Sequence, residues 1–73
     1  MAYVRCPNCK DSMQYFRDLQ GEAEKAAAEG VLKPHLKGKP FVAKAYHRCE
    51  NGGCRRIQRK DDWDVGATLP EGF

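Results

Sequence analysis

All four cysteines of this 73-residue chain fall into two close pairs, Cys6-Pro-Asn-Cys9 and Cys49-Glu-Asn-Gly-Gly-Cys54, with 39 residues between them. Two cysteines separated by two residues can both aim at one ion from a single tight turn. A second such turn supplies the other two corners of a tetrahedron. A chain this short buries only roughly 60–70% of its unfolded surface, so its core contributes no more than a few kcal/mol of net stability. A structural zinc contributes ~10–16 kcal/mol in small finger domains. The pattern therefore predicts one structural zinc held by Cys6, Cys9, Cys49 and Cys54, with the metal deciding whether the chain folds.

Disulfides are the competing staple. The opening residues Met1-Ala-Tyr-Val-Arg5 contain no apolar stretch and enter the first cysteine pair at once, unlike a secretory signal. No run approaches transmembrane length. The expectation is a reducing cytoplasm without membrane contact, where paired cysteines hold metal rather than each other. Cys-Pro-Asn-Cys also has the spacing of a redox motif, but no strand–helix–strand pattern surrounds it.

Residues 2–6 read as a short strand running into the first knuckle. Asp11-Ser12 offers a helix N-cap with Gln14 in a capping-box position. Met13, Phe16, Leu19, Ala23 and Ala26/Ala27 recur at three- and four-residue steps, which predicts a helix over about Met13–Glu29. Gly21 interrupts that stripe, and Gly30 reads as its C-terminal stop. Residues 31–40, with Pro34, Gly38 and Pro40, read as a loop. Phe41–Cys49 alternates in strand fashion, and Arg55–Arg59 reads as the strand leaving the second knuckle. Asn51-Gly-Gly53 suits a tight metal-binding turn. Residues 61–73 are expected to be an irregular tail of a single 1–73 domain.

Charge is segregated along this order. Residues 33–60 carry nine Lys/Arg against one Glu, whereas 61–73 carry Asp61, Asp62, Asp64 and Glu71 and no base. The formal net charge of +3 falls to about +1 once four thiolates and a divalent ion are counted. Distribution, not total, is what points to a polyanionic partner. Arg48, Arg55, Arg56, Arg59 and Lys60 surround the second knuckle and are the first candidates for phosphate contact. The same arginines would also neutralise the thiolate cluster. Trp63, with Asp61 and Asp62, is the candidate anchor for a protein partner, tryptophan being favoured at binding hot spots. Packing back over the fold is the other reading of that side chain. Tyr46 is read as strand packing.

His35 and His47 are read as surface side chains, with a place beside or within the metal cluster as the alternative for His47. Four cysteines close the tetrahedron, which leaves no open position for metal-bound water. No nucleophile–base pair and no phosphate-binding loop is present, so neither enzymatic activity nor a small-molecule substrate is expected.

With the cysteine pattern in hand, Cys6-Pro-Asn-Cys9 and Tyr46-His-Arg-Cys-Glu-Asn-Gly-Gly-Cys54 resemble the Ogr/Delta family of small phage zinc-binding transcription activators. Members carry a similar Tyr-His-x-Cys-x-Asn-x-x-Cys run. The family's pairs are separated by a shorter spacer; here the added length holds the expected helix and the Lys/Pro/Gly loop. The resemblance implies a bacteriophage-type regulator that binds promoter DNA and touches RNA polymerase, with metal roles for Cys6, Cys9, Cys49 and Cys54. The fold expected is a small α+β, zinc-ribbon-like domain: two knuckles, a short antiparallel sheet and one inserted helix. The function expected is transcription regulation through RNA polymerase, DNA or both, by activation, inhibition of initiation or altered termination. A zinc-ribbon assembly subunit or an RNA-binding module is the alternative.

Overall fold

A computed structural model describes residues 2–73. Five strands form one antiparallel sheet in simple sequence order: β1 (Ala2–Cys6), β2 (Ser12–Asp18), β3 (Tyr46–Cys49), β4 (Arg56–Arg59) and β5 (Asp62–Thr68). One helix, α1 (Glu22–Leu36), is inserted between β2 and β3. The domain is therefore small and α+β, as expected, but three of its elements differ from the sequence reading.

The first difference is β2. Residues 13–18 are strand, not helix, and the helix begins at Glu22 rather than near Met13. The knuckle explains this. Pro7–Cys9 forms a single 3₁₀ turn, and Lys10 and Asp11 both take left-handed backbone angles (φ 57° and 60°) that reverse the chain. The returning residues pair with β1 in the register Tyr3↔Tyr15, Arg5↔Met13 and Cys6↔Ser12. Met13, Tyr15 and Arg17 then face one way and Phe16 the other, a two-residue period that the helical stripe had obscured. Ser12, instead of capping a helix, donates its hydroxyl to the Cys9 carbonyl.

The second difference is the end of the helix, which runs through Gly30 and Pro34 to Leu36. Proline removes one intrahelical bond and crowds the carbonyl four residues back. That residue is Gly30, and the end follows within a turn. Lys37 (φ 51°) stops the helix in a left-handed conformation. Glu22 and Glu24 in the first turn and Lys33 and His35 in the last oppose the helix dipole favourably. Phe41–Cys49 is strand only in its second half. Ala43–Ala45 forms a 3₁₀ turn before β3.

The third difference is the tail. Residues 62–68 are β5, paired to β4 through Arg56↔Thr68, Ile57↔Ala67 and Gln58↔Gly66, so only the residues after it are irregular. Gly66 is required there, because a Cβ would collide with the Ile57 carbonyl oxygen and come within 2.9 Å of the Arg56 guanidinium carbon.

Opposite faces of the sheet carry two small cores. On one, Tyr46, Ile57 and Leu69 pack with Leu19 and with Ala28 and Leu32 of α1. On the other, Phe16 packs with Cys6 and Cys49, flanked by Val4, Cys9 and Cys54. The buried Gln58 on β4 donates its amide to the Arg5 carbonyl of β1 at 2.9 Å, tying the last strands back to the first. Among the described residues no helix is long and apolar enough to cross a membrane.

Candidate metal centre

The two knuckles converge. The ligand atoms of Cys6, Cys9, Cys49 and Cys54 all lie within 4.8 Å of one another. Cys6 ends β1, Cys49 ends β3, and Cys54 precedes β4, so three strands of the sheet bring sulfur to one point. Across the site, Cys6 Sγ lies 3.7 Å from Cys54 Sγ and Cys9 Sγ lies 3.9 Å from Cys49 Sγ. A tetrahedral ion with metal–sulfur bonds of about 2.3 Å has sulfur–sulfur edges of about 3.8 Å. These two edges match that spacing, so the cluster could hold a shared ion, and all four cysteines are free thiols rather than disulfides.

The chemistry of the donor set fits as well. Burial, reinforced by the neighbouring thiols, pushes the Cys6 thiol far above its ordinary value, and burial pushes Cys49 up to about 11. Burial thus disfavours thiolates at Cys6 and Cys49 on their own, and a divalent cation among the sulfurs would offset that cost by charge neutralisation. Cys9 is shifted the other way, because Asn51 Nδ2 donates to its sulfur at 3.2 Å. Asn51 also accepts from the Cys54 amide through its carbonyl, closing the second knuckle's turn, in which Gly53 has φ 79°. The sequence reading took Asn51 only as a turn residue. Its place two residues after Cys49 was the available signal that its amide could reach a thiolate across the site.

His47 corrects the expectation of a surface side chain. It is 2% exposed, sits on Phe16 with ring centres 4.5 Å apart, and is not part of the sulfur cluster. Burial, helped by Lys60, lowers its pKa to about 4, so the ring is neutral; Nε2 has no partner among the described residues. His35 is exposed, as expected.

Two of the five bases assigned to phosphate contact, Arg48 and Arg56, are held within the fold, and two more sit in surface ion pairs. Arg48 Nη1 pairs with the buried Glu24 at 2.6 Å, and Arg17 joins the same carboxylate at 2.9 Å. Arg56 donates to Gln58 Oε1 and to the Trp63 carbonyl. Arg59 pairs with Asp61 and Lys60 with Asp18, both at the surface. Arg55 is half-buried and forms no ion pair among the described residues. Glu24 is what the sequence reading missed: no local pattern singles it out, and only the fold turns it toward Arg17 and Arg48.

Trp63 remains 39% exposed on β5, with the Arg5 guanidinium 5.3 Å from its ring centre. Asp61 and Asp62 beside it are exposed. Tyr3 and Tyr15, cross-strand partners with ring centres 4.7 Å apart, are 53% and 57% exposed, and Met13 is 45% exposed. Tyr46 is buried and stacks on Phe41, as its strand position suggested. Comparison of the chain with protein families, characterised proteins and solved structures finds no match.

Proposed function

We propose that the chain is a zinc-ribbon-like, non-enzymatic transcription regulator of bacteriophage type, acting in the cytoplasm of a bacterial host by docking on RNA polymerase. The four-sulfur donor set suits zinc, the usual occupant of closed Cys₄ structural sites, and would fix the two knuckles and the strands they join. The resemblance of the knuckle residues to the Ogr/Delta family supports the regulatory reading. The observation that carries protein docking is the exposure of Tyr3, Met13, Tyr15 and Trp63, beside Arg5, in a domain with few large apolar residues. Tyr, Trp, Met and Arg are the residues that protein interfaces enrich.

The test is retention of purified bacterial RNA polymerase, nuclease-treated, on the immobilised zinc-loaded protein. Co-purification that weakens at least about tenfold in Trp63→Ala/Tyr15→Ala, in line with hot-spot truncation, is the expected result. No retention of polymerase by the wild-type chain rejects the reading and leaves an assembly subunit or an RNA-binding module.

A further inference from the structure

The fold redistributes the free positive charge. From residue 31 to residue 49 the chain contains no Asp or Glu. Among the bases downstream, Arg48, Arg59 and Lys60 have carboxylate partners and Arg56 is turned inward. Lys33, Lys37, Lys39 and Lys44 are exposed, and none forms an ion pair among the described residues. They occupy the end of α1, the turn after it and the 3₁₀ turn before β3. Two shallow grooves meet there, sharing Leu36 and Lys39; Lys33 lines one, His35, Lys37 and Arg59 line the other, and Lys44 directly precedes Ala45 on the second wall. Glu29 is the one carboxylate on those walls.

Stabilisation of the helix dipole accounts for Lys33 and His35. It extends to Lys37 at the C-cap but does not account for Lys39 and Lys44, which lie beyond it. Nor do these lysines neutralise the sulfur cluster, since β3 separates them from it, with Ala43–Ala45 before its start and Cys49 at its end. We infer that Lys33, Lys37, Lys39 and Lys44 form a sequence-independent docking surface for the phosphate backbone of duplex nucleic acid. Ammonium groups on flexible stems act as point charges, without the bidentate fork that reads a base edge. The surface replaces the knuckle arginines as the phosphate contact, and it stands whether or not polymerase is the protein partner.

The test is fluorescence anisotropy of the zinc-loaded full chain with two unrelated DNA duplexes of about 20 bp, between roughly 50 and 200 mM salt. Both duplexes bind within about twofold of each other, and affinity falls on the order of 100-fold across that range, as four phosphate contacts require. Lys33→Gln/Lys37→Gln/Lys39→Gln/Lys44→Gln, checked for unchanged metal content and circular dichroism, loses at least about 30-fold at low salt and flattens the salt dependence. Lys37→Gln and Lys39→Gln alone each lose about threefold, whereas Lys10→Gln/Arg55→Gln, two bases at the knuckles, changes affinity by less than about twofold. Absence of duplex binding at the lowest salt overturns the inference, as does equal loss in the knuckle variant. Tighter binding to polyglutamate of matched charge also overturns it, and assigns the lysines to an acidic protein. Each outcome is independent of polymerase retention.

Discussion

At the scale of residues, Glu24 joins α1 to β2 and β3 through Arg17 and Arg48. Its carboxylate receives both nitrogens of Arg17, one of Arg48 and the Gln20 amide. Burial alone would raise its pKa, but these hydrogen bonds outweigh burial and hold it at about 2, against an ordinary 4.5. Glu24→Gln leaves two guanidinium groups facing a neutral amide and costs about 3 kcal/mol. That is the low end for breaking a buried pair, because Arg17 keeps some solvent. The sign of the pH dependence follows from the depressed value. The unfolded chain takes up this proton first, so the contribution is complete above the unfolded pKa and fades only as pH falls from about 4.5 toward 2. The stability gap between wild type and Glu24→Gln, measured by denaturant titration, should therefore be flat from pH 8 to about 5.5. A gap that narrows within that window refutes the pairing.

At the scale of elements, what the sequence showed depended on which constraint acted locally. β1 and β4 were legible because each adjoins a cysteine whose direction is set by the site. The helix was legible as a kind of element but misplaced, since Met13, Phe16 and Leu19 satisfy a helical spacing while cross-strand pairing to β1 decides their conformation. β5 was hidden among aspartates, because its stabilisation comes from pairing with β4 rather than from propensity. Gly21 shows the reversal most sharply. Read as a flaw in a helix, it is the residue before one, at φ 79° and ψ 151°, a region open essentially to glycine alone. No atom lies within 4 Å of a Cβ placed there, so any effect of Gly21→Ala is backbone strain and not a clash. The variant should lose about 1–3 kcal/mol in denaturant unfolding, with metal affinity of the folded form unchanged. A neutral result would mean that α1 enters by another path.

At the scale of the whole molecule, the cysteine cluster belongs to one of two cores that share one sheet, and an ion bound there would brace both. The convergence of Cys6, Cys9, Cys49 and Cys54 was legible, because their spacing along the chain already paired them in two tight turns. The fate of the arginines was not, because an ion pair such as Arg48–Glu24 joins residues 24 apart and leaves no local pattern. Among the described residues the sulfur-side core holds one large buried apolar side chain, Phe16, besides cysteines, so little would remain on that face without an ion among the sulfurs. The helix-side core rests on the opposite face of the same strands and cannot keep Tyr46 and Ile57 in place if β3 and β4 separate. Removal of the ion should thus unfold the chain cooperatively, helix included. A structural zinc contributes ~10–16 kcal/mol, comparable to the entire stability of a small domain. The purified reduced protein should contain about one zinc per chain. A chelator should abolish helical circular dichroism and tertiary near-ultraviolet signal together. Cobalt(II) in place of zinc should show the intense visible bands of a tetrahedral four-thiolate site, and Cys9→Ser should lose both the bands and the fold. A helix that survives chelation while the near-ultraviolet signal disappears would show that the helix-side core stands alone and that the metal staples only the knuckles.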